Sequence, residues 1–404
     1  MATSKTPKGS VKILEDYALS LCGTMRGVDD EIQLIAGKWP EIFDISHNPT
    51  CIARIPVRKK RLLELSSKHP EVVNSNWVPR NGHVYMNVSL EGSVSVEEIK
   101  SWIDEGYRLV LDKLKPAERF LVMMGGRPYN EEDAIQELIR YYDLDELKSE
   151  ILQVSRTAIL LRTSKCAEKN IPLGASKIGG NPDLPASAVW PTHTSGRPLA
   201  FLAQINLQDL RMLGRPFDRF PTAGLLSLYS VWGWMLPDDA DPQIPDGPES
   251  SDWTQCIHTG TEGPLERRKQ PKGTHRSKPA PVTPILIRSF PSDLSEPSIK
   301  MQTWTAKQKK RYLEFYCAFT DLQIRALAPN QLGSWHQLGG YGRFQQTPPE
   351  LIRSGEYELF LQLGSDDWAS DMMWGDAGEL SFLLKSDSFQ KGQFNEISAE
   401  LQCG

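Results

Sequence analysis

Apolar residues recur along the chain with two different periods, and the period predicts which segments are helices and which are strands. Helical spacing occurs over residues 11–22, 62–68, 99–114, 130–154 and 304–325. Short apolar or alternating runs, bounded by Gly, Pro or Asp, are typical of buried strands. They lie at residues 51–57, 83–90, 157–161, 199–207, 225–231, 253–257, 284–290, 358–363 and 380–384. Because helices and strands do not alternate regularly, we expect an α+β chain with mainly antiparallel sheet rather than a parallel doubly wound one.

The breaks in this pattern predict two domains. The chain has 404 residues, a length that favours more than one domain. Residues 1–10 are expected to form a polar tail, residues 11–120 a first domain, residues 121–129 a linker around a Gly-Gly-Arg-Pro sequence, and residues 130–404 a second domain. Residues 260–279 are rich in proline and positive charge, which predicts a mobile loop within the second domain.

Composition narrows the cellular setting. The formal net charge is −5 and hydrophobic residues make up 39% of the chain, so there is no overall attraction to nucleic acid or to an anionic membrane. No apolar run reaches transmembrane length and no secretory leader is visible. The six cysteines contain no C-x-x-C pair, which argues against a zinc ribbon or a disulfide scaffold. We therefore expect a cytoplasmic protein without a membrane partner.

The segment from Leu173 to Leu207 is the most informative part of the sequence. Gly179 and Gly180 permit positive φ or a close backbone approach. Four prolines follow before the apolar run that contains Gln204. A buried amide needs partners, so Gln204 is either paired with neighbouring backbone, which we favour, or directed into a cleft.

Motifs in this order resemble the YwqG-like family over roughly residues 130–395. They are the Leu173–Leu207 segment, the proline-glycine turn before the strand at residues 225–231, and the His336, Gly339-Gly340 and Tyr341 segment. The resemblance implies a β-rich α+β domain of unassigned activity. It also implies a possible immunity-type protein partner.

A second resemblance covers residues 60–115. His69-Pro70, the strand that ends at Leu90-Glu91-Gly92-Ser93, and the helix with Asp104-Glu105-Gly106-Tyr107 are similar to the MmcQ/YjbR-like family. That resemblance implies a compact frataxin-like α+β fold and the capacity to bind DNA. The basic run Arg58, Lys59, Lys60 and Arg61 is the matching nucleic-acid candidate. However, residues 1–120 hold 17 Lys/Arg and 16 Asp/Glu, a net of +1, which is far from a strongly basic footprint.

The candidate ligand-binding residues of the second domain lie in its polar, glycine-rich segments. They are Gln204, His336, Gly339, Gly340, Tyr341, Asp366, Asp367, Trp374, Gly375 and Asp376. The acidic residues do not have the spacing of an EF-hand loop, and turn aspartates ordinarily cap backbone amides. We therefore predict no metal. No phosphate loop, dinucleotide fingerprint or nucleophile elbow occurs, so no cofactor is predicted.

Three functions are compatible with these features. The first is a non-enzymatic protein that binds a protein partner or a small ligand, because no complete catalytic constellation is visible. The second is a hydrolase that uses His336 with Asp366, Asp367 or Asp376, which requires these groups to converge in one cleft. The third is DNA binding through the first domain.

Overall fold

A computed structural model describes most of the chain and divides it into two compact units. The described residues are 8–21, 24–26, 32–34, 41–46, 52–70, 73–74, 84–90, 94–124, 128–214, 220–231, 253–260, 263–292, 303–331 and 335–403. Unit 1 consists of Met1–Tyr141 with Ala318–Ala326, and unit 2 consists of Tyr142–Cys317 with Leu327–Gly404.

Unit 1 is an antiparallel sheet of six strands in the order β1-β2-β3-β4-β6-β5 with helices packed on it. Its elements are α1 (Lys8–Ser20), β1 (Thr24–Arg26), β2 (Ile32–Leu34), β3 (Glu41–Ser46), β4 (Ile52–Val57), α2 (Lys59–Lys68), β5 (Val73–Asn74), β6 (Val84–Ser89), α3 (Val96–Leu111), α4 (Pro116–Met124) and α5 (Glu131–Tyr141). The predicted alternation of β6 is confirmed, since Met86 and Val88 are fully buried. They share a core with Trp102 and Ile103 of α3, the apolar face of an amphipathic helix.

Unit 2 contains a sheet of ten strands, in which every pairing is antiparallel, and a two-stranded sheet. Its elements are α6 (Lys148–Val154), β7 (Arg156–Thr163), β8 (Lys177–Ile178), β9 (Asp183–Pro185), β10 (Ala200–Asn206), α7 (Leu207–Arg211), β11 (Leu225–Ser230), β12 (Thr254–Thr259), β13 (Leu265–Arg267), β14 (Ala280–Ser289), α8 (Ala306–Leu327), β15 (His336–Leu338), α9 (Glu350–Arg353), β16 (Tyr357–Gly364), β17 (Glu379–Lys385), α10 (Ser386–Gln390) and β18 (Ile397–Gln402). The C-terminal end of α8 belongs to unit 1. The α+β class and the four predicted core strands β10, β11, β16 and β17 are confirmed.

The large sheet is built from two matching halves. Its order is β12-β11-β10-β8-β14-β7-β15-β16-β17-β18. We call β7, β8, β10, β11 and β12 the first repeat, and β14 to β18 the second repeat. Counted outward from the central β14–β7 pair, the strands of the two repeats occupy equivalent positions on opposite sides of the sheet. The equivalent strands are β8 and β15, β10 and β16, β11 and β17, and β12 and β18. Strand β7 pairs with β15 of the second repeat, and β14 pairs with β8 of the first repeat. Each half of the sheet therefore contains one strand from the other repeat.

The registers of the two repeats agree residue by residue. Ile178 lies opposite Ala203 in the first repeat, and Leu338 lies opposite Leu361 in the second. A register shift follows Phe201 in β10 and Leu359 in β16, at corresponding places. The two edge strands β12 and β18 contact each other, so the sheet curls around one apolar core that draws on both repeats.

Two features of the domain prediction differ from the structure. The segment predicted as a mobile loop contains β13, which pairs with β9, and Arg267 of β13 is paired with the buried Asp183. The segment predicted as a linker begins inside α4, and the two units divide after Tyr141 rather than before residue 130. Residues 318–326 join unit 1 through contacts such as the one from Gln323 Nε2 to Glu131 Oε1 at 3.0 Å.

Candidate functional site

A histidine–aspartate pair lies in the interior of unit 2. His336 is the first residue of β15, and Asp366 follows the end of β16. The distance from His336 Nε2 to Asp366 Oδ2 is 3.3 Å, and both side chains are 0% exposed. Asp366 also accepts hydrogen bonds from Thr163 Oγ1 at 2.9 Å and from the Ala369 amide at 2.8 Å. The pair therefore braces three segments of the unit.

The protonation of this pair follows from its donors. Burial alone would raise the pKa of Asp366, but the hydrogen bond and charge of His336, with the Ala369 and Thr163 donors, hold that pKa below its ordinary value. Because an ionised carboxylate only accepts, the Nε2 atom of His336 carries the proton. The other ring nitrogen, Nδ1, is buried and has no hydrogen-bond partner among the described residues. To act as an acid or a base, His336 would need access to a substrate.

The glycines after His336 form a tight turn that the fold itself requires. Gly339 and Gly340 have φ of 67° and 69°. A Cβ on Gly340 would lie 2.3 Å from the Ser289 hydroxyl, so no other residue fits. Gln337 Nε2 donates to the carbonyls of Gly339 and Tyr341 at 2.8 and 2.7 Å. The ring of Tyr341 lies under the guanidinium of Arg156 at 4.2 Å.

The remaining candidates of the C-terminal segment are held mainly by backbone contacts. The Trp374 amide donates to Ser365 Oγ at 2.9 Å, and the Trp374 carbonyl accepts from the Gly378 amide at 2.6 Å. Gly375 has φ of 53°. Asp367 and Asp376 are exposed, and His336 contacts neither of them. Among the described residues, no group of three or more His, Cys, Asp and Glu side chains could hold a metal ion.

Gln204 belongs to a buried ionic cluster that the sequence analysis missed. Its Nε2 donates to Asp183 Oδ2 at 2.9 Å, and its Oε1 accepts from the Asp183 amide at 2.9 Å. Lys177 Nζ lies 3.1 Å and Arg267 Nε 2.8 Å from Asp183 Oδ1. Burial alone would raise the pKa of Asp183, but Arg267 and Lys177 hold it below its ordinary value. The signal was a lysine and an aspartate on either side of Gly179-Gly180, whose partner Arg267 lies too far along the chain to be inferred.

Some of these contacts occur at corresponding positions in both repeats. Gln362 occupies in β16 the place of Gln204 in β10, and its Oε1 accepts from the Arg343 amide at 2.9 Å, as Gln204 does from Asp183. Asp183 and Arg343 each stand three residues after the second glycine of a Gly-Gly pair. Each glutamine side chain therefore forms a hydrogen bond with the backbone of the segment that follows its glycine turn.

The His336–Asp366 contact also has a counterpart in the first repeat. Ser176 stands where His336 does, four residues before the second glycine. Its Oγ donates to Asp209 Oδ2 at 2.6 Å. Asp209 lies within α7, one residue after Gln208, which is the position that matches Asp366 when Gln204 and Gln362 are aligned. A side chain at the His336 position of the first repeat thus also reaches an aspartate after the adjacent strand, which favours a bracing role for such contacts.

The comparison with family models shows which family the chain belongs to. A family model described as a domain of unknown function, DUF1963, matches residues 176–403, more than half of the chain. The chain belongs to the DUF1963 family. DUF1963 is the YwqG family, so the YwqG-like resemblance is confirmed at the level of the family. No curated protein matches the chain. The family match spans both glycine turns and both repeats apart from the strand β7.

Unit 2, which contains the DUF1963 match, carries exposed apolar side chains next to its ionic cluster. Arg267 Nη2 donates to the Pro172 carbonyl at 3.2 Å, beside Leu173, which is 56% exposed. Arg268 Nη1 donates to the Ala188 carbonyl, beside Val189, which is 86% exposed. We call Leu173, Pro185, Val189 and Leu265 the β9–β13 face. Leu265 and Pro185 are paired in register and half-buried.

In unit 1, the four residues of the basic run have different environments. Arg61 is paired with Glu105 through Nε at 3.0 Å and Nη2 at 2.9 Å. Lys59 and Lys60 are exposed. Arg58 and Arg61 line a groove with Arg108, but Glu105 and Asp112 line it as well. Among the helices of the described residues, none is long and apolar enough to cross a membrane.

Proposed function

We propose that unit 2, which contains the DUF1963 match, is a non-enzymatic module that binds a protein partner through the β9–β13 face. The observation that carries the proposal is the exposure of Val189 and Leu173 on loops anchored by Arg268 and Arg267. Exposed aliphatic side chains on a braced surface are suited to protein contacts. Because these loops are held before binding, little ordering entropy would be lost when a partner docks.

Quantitative affinity capture from native lysate tests this proposal. The wild-type chain is compared with a Leu173→Ser, Val189→Ser variant, and with Leu286→Ser as a control, since Leu286 is also an exposed apolar residue of unit 2. A stoichiometric partner should be retained by the wild type and the control and lost by the double variant, with thermal unfolding unchanged. No stoichiometric partner, or equal retention by all three chains, would count against the proposal.

Hydrolysis by His336 and Asp366 is the second candidate, favoured by their 3.3 Å contact. It requires a substrate to reach two side chains that are 0% exposed. The Ser176–Asp209 contact supports bracing instead. The test is a screen of ester and phosphoester substrates with the wild type and His336→Ala. Turnover that disappears in the variant, while its unfolding midpoint changes little, would support hydrolysis.

A frataxin-like, MmcQ/YjbR-type fold and DNA binding are proposals for unit 1. The groove that contains Arg58, Arg61 and Arg108 supports DNA binding, whereas the pairing of Arg61 with Glu105 weakens it. A low-salt titration with labelled duplex DNA tests it: Arg58→Ala with Lys59→Ala should weaken binding, and unchanged binding would refute it.

A cytoplasmic location is also a proposal. The cysteines that support it are Cys166, Cys256, Cys317 and Cys403, which are free thiols, as expected in a reducing compartment. Cys22 and Cys51 lie outside the described residues.

A further inference from the structure

The chain segment that forms β13 and continues beyond it is strongly basic. Between Leu265 and Lys278 there are six Lys or Arg residues and one acidic residue, Glu266. The whole chain, in contrast, has a net charge of −5. The positive charge is therefore concentrated beside the β9–β13 face.

Three of these six cations form ion pairs with residues of unit 2. Arg267 is paired with Asp183 and Arg276 with Glu168 Oε2 at 2.8 Å. Lys278 is paired with Asp371 at 3.0 Å. The Arg267 and Arg276 pairs hold the segment on unit 2, since Glu168 also accepts from the side chain of Asn181 at 2.7 Å.

The other cations remain available to a ligand. Lys269 and Lys272 are exposed, and within the part of the chain that the structure describes neither has an ion pair. Arg268 uses one guanidinium nitrogen on the Ala188 carbonyl. Lys169 is exposed next to Glu168, whose carbonyl accepts from Arg267 Nη1 at 2.5 Å. Lys269 and Lys272 lie in the chain segment that contains Leu265 and the two arginines that hold the backbone beside Leu173 and Val189.

We propose that the β9–β13 face binds a segment of a protein partner that combines carboxylate side chains with aliphatic ones. The inference rests on the proposed function and adds the chemistry of the partner. Leu173, Val189 and Leu265 provide apolar contact, and Lys269, Lys272 and Arg268 attract the carboxylates. Charge complementarity of this kind favours association and selects among partners.

A nucleic acid is the other polyanion that such a surface attracts. Single-stranded nucleic acid is bound through aromatic side chains on which bases stack. The exposed apolar side chains of this face are Leu173 and Val189, which offer no stacking surface. The acidic protein segment is therefore the better match, and a nucleic acid becomes an outcome of the test.

Fluorescence anisotropy on the full-length chain tests the inference with defined probes. The first probe is a labelled peptide of glutamates with interspersed leucines, and the second has every glutamate replaced by glutamine. The third is a labelled single-stranded RNA. The variants are Lys269→Glu with Lys272→Glu and, as a matched control with the same change in net charge, Lys307→Glu with Lys310→Glu on α8, where both lysines are exposed.

The acidic peptide should bind at low salt, and its affinity should fall at high salt because exposed charges are screened. Lys269→Glu with Lys272→Glu should weaken it by about fivefold or more, while the control pair has little effect. Equal binding of the acidic and glutamine peptides, or equal effects of the two lysine pairs, would overturn the inference. So would RNA binding that depends on Lys269 and Lys272 without peptide binding.

These outcomes are separable from failure of the proposed function. If Leu173→Ser with Val189→Ser loses a captured partner but that partner binds Lys269→Glu, Lys272→Glu normally, the protein-binding role stands and the acidic partner is refuted. If no partner depends on Leu173 and Val189, the binding role itself fails.

Discussion

At the residue scale, buried polar side chains that were ligand-binding candidates, such as His336 and Asp366, make hydrogen bonds inside the fold. Asp366 accepts from His336, Thr163 and the Ala369 amide, and it is fully buried. This agrees with the ordinary role of turn aspartates, which cap backbone amides. A buried polar atom without a hydrogen-bond partner lowers the stability of the folded state, so the main role of Asp366 is structural.

Replacement of Asp366 by alanine should strongly destabilise the protein. The change leaves the His336 and Thr163 donors buried without their acceptor, so we expect a loss of about 3 kcal/mol or more in the free energy of unfolding. Asp367→Ala is the control, because Asp367 is exposed, and it should cost under about 0.5 kcal/mol. Urea unfolding measures both, and similar losses for the two variants would contradict the bracing role.

Glu379 gives a pH-dependent prediction. It is a buried residue at the start of β17 whose Oε1 accepts from the Gln345 amide at 2.9 Å. Burial raises its pKa from 4.5 to about 7, although the Gln345 hydrogen bond and Arg343 act in the opposite direction. The folded state therefore holds this proton more tightly than the unfolded state, and stability falls as the pH rises through this window.

Glu379→Gln should remove that dependence. Relative to the wild type, the variant should gain roughly 2 to 3 kcal/mol in unfolding free energy between pH 4.5 and 7. Urea unfolding of both chains across that range measures the difference. A constant difference at all pH values would show that Glu379 does not titrate there.

At the element scale, periodicity predicted the long elements and missed the short ones. Strands β10, β11, β16 and β17 could be predicted because each contains an apolar run that is long enough to be recognised in the sequence. In contrast, β8 has two residues, and β9 and β13 have three each. Such strands are defined by partners distant in sequence, as Arg267 is from Asp183, so local pattern does not reveal them.

The repeat was visible in the sequence in retrospect. Lys177-Ile178-Gly179-Gly180 and Gln337-Leu338-Gly339-Gly340 share their last three positions up to one aliphatic exchange. Each precedes an apolar strand with one glutamine, Gln204 or Gln362. The resemblance is too short to identify a repeat without the registers, which the structure supplies.

The second repeat has Gln337 and Arg343 at the positions of Lys177 and Asp183, so the Lys177–Asp183 pair belongs to the first repeat, and it should behave as one unit. Asp183→Asn leaves the fully buried Lys177 ammonium without its counter-ion, a change that costs about 3 to 5 kcal/mol. Adding Lys177→Gln, the residue at the matching position of the second repeat, should recover part of this loss. Urea unfolding of the four proteins in this cycle should give a coupling above about 1 kcal/mol. Additive losses would mean that the two side chains act independently.

At the scale of the whole molecule, unit 2 depends on both repeats. The central strands β14 and β7 each lie beside a strand of the other repeat, and the apolar core includes Phe360 and Phe382 from β16 and β17.

Truncation tests the mutual dependence of the repeats. A chain that ends at Gly355 loses β16, β17 and β18, so unit 2 should lose its cooperative unfolding transition or become insoluble. A chain that ends at Gln402 keeps all three strands and should unfold like the wild type. Cooperative unfolding of unit 2 in the shorter chain, followed by calorimetry, would show that the first repeat folds without the second.

In the proposed function, a partner binds the β9–β13 face, and His336, Asp366 and Gln204 support the fold. The most direct measurement is the affinity of the captured partner for three chains: the wild type, Leu173→Ser with Val189→Ser, and His336→Ser, which introduces the residue found at the same place in the first repeat. The account predicts at least about a tenfold loss of affinity for the face variant, since two interface side chains at about 1 kcal/mol each are removed. His336→Ser should bind as the wild type does. Loss of binding in His336→Ser with full binding by the face variant, both chains being folded, would contradict the account and place the functional site at His336.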